Sequence, residues 1–242
     1  MRLKAGLVLK SLTQPVAYCS ISGLIAVSIK IRKPESYKIV EIGVFKGDNA
    51  ASLIRVVERR VAQPRYVGFD LFEDTDDFFQ DHPEDRQWYD HPDYPYFEFQ
   101  SGQHSFNSVT AKLSAIQPPD RFTLVPGDST KTVRANYSLI EDADFIYIDG
   151  CHDYDIVRED WQSVRPLIQK NPHLVIAFDD VTYSGVARVR DEIVSRDRDV
   201  RVLSLNYNQF FVISRSMPWI ETGGLRAIDL IWRLFGKTPS TS

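Results

Sequence analysis

Phe145-Ile146-Tyr147-Ile148-Asp149-Gly150-Cys151-His152 and Leu174-Val175-Ile176-Ala177-Phe178-Asp179-Asp180 decide the fold. Each is a short apolar run without alternation, rich in branched and aromatic side chains. Each therefore reads as a strand buried on both faces. Between them, over Tyr154 to Gln169, Val157, Trp161, Val164 and Ile168 recur at helical spacing. Strand, helix, strand is the unit of a parallel sheet, and open parallel sheets bind ligands beyond the carboxyl ends of their strands. Both runs end in acid. Asp149, Asp179, Asp180 and the imidazole of His152 are thus expected at one sheet edge. Crowded carboxylates repel one another unless something positive joins them, and a hard divalent cation is the simplest such partner.

The same alternation extends outward. Lys38 to Gly43 predicts a first strand and Asp48 to Val61 a helix. Tyr66 to Leu71 predicts a second strand. Ser105 to Ile116 reads as a helix closed by Pro118-Pro119, Arg121 to Pro126 as a third strand and Lys131 to Leu139 as a short helix. Asp144 to Asp149 and His173 to Phe178 are the fourth and fifth strands, followed by a helix over Val186 to Ser195. Val202 to Leu205 and Phe210 to Ser214 form a hairpin around Asn206-Tyr207-Asn208. The expected fold is α/β, a doubly wound, Rossmann-like and mostly parallel sheet with helices on both faces and an antiparallel C-terminal hairpin strand.

Residues 38–215 read as one domain. Residues 1–37 read as an N-terminal helical extension, because Gln14, Pro15 and scattered serines break the apolar run that a signal peptide or a membrane span would need. Residues 216–242 read as a C-terminal amphipathic helix, over Gly224 to Phe235, and tail. Leu225, Ile228, Trp232 and Phe235 lie on one side of it, suited to the domain, a twin subunit or a membrane surface. Phe72 to Gln100 interrupts the pattern with Asp, Pro and aromatics, among them Phe78, Phe79, Trp88, Tyr89, Tyr94 and Tyr96. Its length and place suit a lid over the sheet edge or a solvated loop. His82 and His91 within it lack metal-ligand spacing.

Composition narrows the partners. The net charge of −4 argues against nucleic acid, which recruits basic stripes. Cys19 and Cys151 make no disulfide framework, so a reducing cytoplasm is expected. The terminal helices are the expected route to any homo-oligomer.

A nucleoside site is expected beside the acids. Val40-Glu41-Ile42-Gly43-Val44-Phe45-Lys46-Gly47 lacks the G-x-G-x-x-G turn of dinucleotide folds and the Walker lysine of triphosphate sites. Its glycines stand four apart and make a wider loop that lets backbone approach a ligand. Asp70 ends the second strand, where a carboxylate can accept both ribose hydroxyls. Gly127-Asp128-Ser129-Thr130 follows the third strand and suits a turn around a base.

Together with Asp149-Gly150-Cys151-His152-Asp153-Tyr154 and Phe178-Asp179-Asp180, these segments resemble the motifs of class I S-adenosylmethionine-dependent methyltransferases. The resemblance is greatest to macrocin-type sugar O-methyltransferases and cephalosporin-hydroxylase-like proteins, and it covers about Lys38 to Ser214. It implies S-adenosylmethionine as cofactor, with Glu41, Gly43 and the neighbouring Gly47 at its methionine end, Asp70 on the ribose, and Asp128 and Ser129 near the adenine. It also implies Mg²⁺ on Asp149, Asp179 and Asp180, with His152 as the base. The chemistry agrees, because Mg²⁺ takes oxygen ligands and an imidazole titrates near neutrality. Plainer roles exist. Asp149 can cap a turn, Asp179-Asp180 can start a helix, and His152 can simply bond Asp180 or backbone. Cys151 reads as a small buried filler, and Asp153 and Tyr154 as helix-start and packing residues. Lys46 and Lys131 are secondary candidates for an anionic substrate group.

The expected function is Mg²⁺-assisted methyl transfer to a hydroxyl of a small molecule, a sugar of a natural product or glycan before others. A catechol-like phenol is the rival acceptor, and a non-catalytic binding protein of the same fold the rival class. A nicotinamide oxidoreductase is disfavoured by the loop around Gly43.

Overall fold

The computed structural model describes residues 20–72 and 104–235. In chain order the elements are α1 (Ile21–Arg32), β1 (Ser36–Ile42), α2 (Asp48–Glu58), β2 (Gln63–Asp70), α3 (Phe106–Ser114), β3 (Phe122–Pro126), α4 (Ser129–Ala135), β4 (Phe145–Ile148), α5 (Tyr154–Lys170), β5 (Val175–Phe178), α6 (Ser184–Arg196), β6 (Val200–Ser204), β7 (Phe210–Ser214) and α7 (Trp219–Phe235). The strands form one sheet in the order β3-β2-β1-β4-β5-β7-β6. All pairs are parallel except β5 with β7 and β6 with β7. This is the expected doubly wound, Rossmann-like sheet with an antiparallel C-terminal hairpin.

Strand register explains why the site forms. Ile42 pairs with Ile148, Ile148 with Phe178 and Phe178 with Phe210. The next residues outward are Gly43, Asp149 and Asp179, and on the antiparallel strand Gln209. One rung of the sheet therefore delivers four polar or backbone groups to a single edge.

The side chains divide between two apolar layers, as alternation in a doubly covered sheet requires. Tyr37 and Ile39 pack with α1, α2, α3 and α7, while Val40 and Ile42 pack with α4, α5 and α6. Leu24 and Ile25 of α1 are fully buried in the first layer, each side chain worth about 1.5–3 kcal/mol relative to exposure. Phe72, the first residue of the expected insert, is also core: it meets Phe106 edge-on at 5.4 Å. The rest of the insert and residues 1–19 lie outside the described residues.

Two elements depart from expectation. The helix expected over Lys131 to Leu139 starts at Ser129 because Asp128 caps it, and a separate 3₁₀ turn takes Tyr137–Leu139. Helix α7 begins at Trp219, five residues before the expected Gly224. Gly223 and Gly224 are inside it. A Cβ on Gly224 would lie 2.3 Å from Ile31 Cδ1, so this glycine lets α1 and α7 approach closely. Among the described residues no helix is long and apolar enough to cross a membrane.

Candidate active site

The loop after β1 is built on backbone conformations that favour glycine. Gly43 has φ +91°, and a Cβ there would lie 2.3 Å from the Asp149 carbonyl oxygen. The loops after β1 and β4 are therefore in backbone contact. Gly47 has φ +73° and starts α2, with Val109 of α3 as its nearest neighbour. Asp70 organises this loop. Its Oδ2 accepts the N–H groups of Val44 (2.7 Å) and Phe45 (2.9 Å), and its Oδ1 accepts Phe72 N–H (2.8 Å). A carboxylate offers about four acceptor positions, and three of them are filled among the described residues. The clamp on Val44 and Phe45 is a role the sequence did not disclose.

Glu41 lies beneath the loop and is fully buried. The hydroxyl of Tyr66 donates to its Oε2, while Oε1 has no partner among the described residues. Burial pushes its carboxyl well above the usual range, and the charges of Asp149 and Asp70 push the same way. Burial in the wall of the site thus disfavours its ionised form.

At the end of β3, Asp128 Oδ1 accepts Thr130 N–H (2.9 Å) and Thr130 Oγ1–H (2.7 Å). Lys131 Nζ stands 3.5 Å from Asp128 Oδ2, which draws it toward an acid of the fold. Ser129 hydrogen-bonds Asp160, a residue buried on α5. Asp128 and Ser129 thus sit together at the outer end of the β1–β2–β3 half of the edge.

The three strand-end acids meet on the other half. Asp149 Oδ2 accepts Asn49 Nδ2–H at 2.9 Å. Burial, then the charges of Asp179 and Asp180, push its pKa up to about 8. Asp179 is surrounded by donors. Its Oδ2 accepts Tyr147 Oη–H and Gln209 Nε2–H (2.8 Å), and its Oδ1 accepts Asn208 Nδ2–H (3.0 Å) and the Asp180 N–H (2.8 Å). Burial first, then Asp149 and Asp179, hold the Tyr147 phenol far above its ordinary range, so it stays a donor. Asp180 has φ +56°, accepts Asn208 Nδ2–H on Oδ1 (2.7 Å), and lies 2.8 Å from His152 Nε2 through Oδ2. The hydrogen bond from His152 holds the Asp180 carboxyl below its usual range despite partial burial. The His152 ring stacks on Tyr183 with centroids 4.2 Å apart. A Cβ at Gly185 would lie 2.1 Å from the His152 carbonyl oxygen, so the start of α6 fixes the His152 backbone as well.

Several plain alternatives are now decided. Asp179-Asp180 do not begin α6, which starts at Ser184. Asp153 is the cap of α5, accepting Asp155 N–H at 2.8 Å. Cys151 is not a buried filler: it is partly exposed, and its sulfur accepts Asp153 N–H at 3.4 Å. Sequence reasoning missed Asn49, Tyr147, Asn208, Gln209 and Tyr183. Asn208 had a signal, the hairpin position opposite the acid-tipped strand, but it read only as a turn residue.

The chemistry of this donor set suits a hard dication, since three oxygen acids stand at adjoining strand ends and the charges of Asp179 and Asp180 add to burial in pushing the Asp149 carboxyl up. No group of three His, Cys, Asp or Glu side chains among the described residues is already disposed as a metal cage.

A family model described as a methyltransferase domain matches residues 40–181, more than half of the chain. No curated protein matches in sequence. Among solved structures, the O-methyltransferase NovP is 15% identical with a TM-score of 0.52, over 81% of this chain and 80% of its own. The S-adenosylhomocysteine-bound methyltransferase PaMTH1 of Podospora anserina is 12% identical with a TM-score of 0.52, over 81% and 78%. At such identities the likeness shows the fold. With the family match spanning the loop after β1, the acid-tipped β4 and the Asp179-Asp180 pair, the chain belongs to the class I S-adenosylmethionine-dependent methyltransferase family.

Proposed function

We propose that the protein transfers the methyl group of S-adenosylmethionine to a hydroxyl of a small molecule, with a sugar of a natural product or glycan as the acceptor class and Mg²⁺ assisting. One observation carries the reading: Asp149 is buried at the strand end beside Asp179 and Asp180, so that burial first and their charges second push its pKa up to about 8, next to a histidine held in place on Asp180. Acids crowded in this way are an expensive structural device but a useful cation site. Asp149, Asp179 and Asp180 would hold Mg²⁺, which supplies positive charge that favours the ionised form of a neighbouring hydroxyl.

The chain's own residues do the rest. The Gly43–Gly47 loop, Asp70, Asp128 and Ser129 bind the methyl donor across the β1–β2–β3 half of the edge. With Nε2–H given to Asp180, Nδ1 is the basic nitrogen of His152, and it takes the acceptor proton. The acceptor oxygen bonds to the methyl carbon as the carbon–sulfur bond breaks, and S-adenosylhomocysteine leaves. Placing oxygen, carbon and sulfur in line is the main catalytic contribution. NovP, which shares the fold, is itself an O-methyltransferase, in keeping with oxygen as the acceptor atom.

Calorimetry tests the donor: S-adenosylhomocysteine binds and NADH does not, and the opposite result rejects the reading. Labelled methyl transfer to a panel of glycans and glycosylated metabolites tests the acceptor. Asp179→Ala is expected to lose at least about a hundredfold in turnover while keeping S-adenosylhomocysteine binding. Unchanged turnover in that variant removes the cation role.

A further inference from the structure

Helix α7 has two apolar faces. Leu225 and Ile228 are buried against the sheet, with Trp232 packed beside them. At roughly 100° per residue, the opposite arc runs from Arg233 and Arg226 at one edge through Trp219, Leu230 and Leu234 to Ile220. Trp219 is 82% exposed, Leu234 64%, Ile220 59% and Leu230 55%. An ordinary surface helix turns charge to water on that side. Here the arc carries no acid. Glu221 is turned away to His173, 2.8 Å off, and Asp229 accepts Ser204 N–H (2.9 Å) and Arg233 Nε–H (3.0 Å).

Charge names the occupant. The chain is net −4, yet residues 1–33 hold six Lys and Arg and no Asp or Glu. Helix α1, within that stretch, packs on α7 through Gly224, and its Lys30 is exposed. An open apolar face with a tryptophan at one end, arginines along its edge and a basic neighbour matches an interfacial helix on anionic lipid. A second copy fits less well, because two-fold pairing sets an acid-free, arginine-edged face against itself.

We propose that the open face of α7 docks on an anionic membrane surface, with Trp219, Leu230, Leu234 and Ile220 entering the headgroup–acyl boundary and Arg226 and Arg233 meeting lipid phosphates. The inward face of the same helix reaches toward the active site: the Trp232 ring centroid lies 6.4 Å from that of Tyr207, the neighbour of Asn208, which holds Asp179 and Asp180.

Co-sedimentation of the full chain with vesicles is the test. Phosphatidylcholine vesicles are compared with vesicles also containing phosphatidylglycerol. Binding is expected on the anionic vesicles and is expected to weaken with salt. Leu230→Asp should lower partitioning by about tenfold or more. Arg226→Gln should lower it about fivefold, on anionic vesicles only. Both positions are exposed, so circular dichroism and Tm should not change. Absence of binding to either vesicle, or equal binding by Leu230→Asp, overturns the proposal. So does a dimer in sedimentation equilibrium that Leu230→Asp dissociates, which assigns the face to a second copy.

Discussion

Asp160 offers a quantitative test of the packing between α4 and α5. It is 1% exposed, its Oδ1 has no partner among the described residues, and burial with the nearby charges of Asp128 and Glu159 outweighs its Ser129 hydrogen bond. The result is a pKa raised from 3.8 to about 7. In the unfolded chain this carboxyl loses its proton near 3.8, while in the fold it keeps it until about 7. Between these values the folded state binds more protons, so stability falls as pH rises and levels off above the folded pKa. At about 1.4 kcal/mol per unit, the loss is on the order of 4 kcal/mol across the window, and about 3 kcal/mol between pH of about 5 and about 8.

Asp160→Asn isolates this effect. The amide keeps the shape and cannot ionise. Glu41 and Asp149 are also raised, and their titrations cancel when variant and parent are compared at the same pH. Urea unfolding should show the variant gaining on the parent by about 3 kcal/mol on going from about pH 5 to about pH 8. A stability difference that does not change with pH would refute the reasoning, because it would mean that Asp160 is solvated or paired in the fold.

The remaining predictions concern the site. Gly43→Ala should destabilise by more than about 3 kcal/mol and abolish S-adenosylhomocysteine binding in calorimetry, since its Cβ would meet the Asp149 backbone at 2.3 Å. Tyr66→Phe should cost about 1–3 kcal/mol in denaturant unfolding by stripping Glu41 of its donor, whereas Glu41→Gln, which copies the protonated acid, should cost less than about 1 kcal/mol. His152→Ala should lower labelled methyl transfer by about a hundredfold or more with donor affinity unchanged. Chelation of divalent cations should stop turnover, leave S-adenosylhomocysteine binding intact, and be reversed by added Mg²⁺.

The sheet was legible because its strands are buried on both faces, and continuous apolar runs such as Phe145–Ile148 have few alternative fates. The acids were legible for a related reason. A carboxylate at the end of such a run has no cheap place in the core, so it marks the edge where the chain leaves the sheet. What stayed hidden were the partners of those acids. Gln209 and Asn208 reach Asp179 only because β7 runs antiparallel beside β5, with Phe210 opposite Phe178. That register depends on strand order, which local sequence does not encode. Asp70 shows the same limit from the other side. Its position on β2 was readable, but its hydrogen bonds to Val44 and Phe45 depend on how the next loop folds back across the sheet. Glycine misled at α7 because a glycine pair looks the same in sequence whether it ends a helix or admits a neighbouring one. Only Ile31 of α1, far away in the chain, distinguishes the two. Acids and glycines thus announced where the chain turns or crowds, and the donors that make the acids useful arrived through tertiary pairing. The cost of that division falls on Asp149: Asp179 has four donors and Asp180 has a histidine, while Asp149 receives Asn49 and has its pKa pushed up to about 8 by burial and by the charges of its neighbours. A positive partner would be felt most there, which makes Asp149 the residue whose protonation should respond first when Mg²⁺ is added.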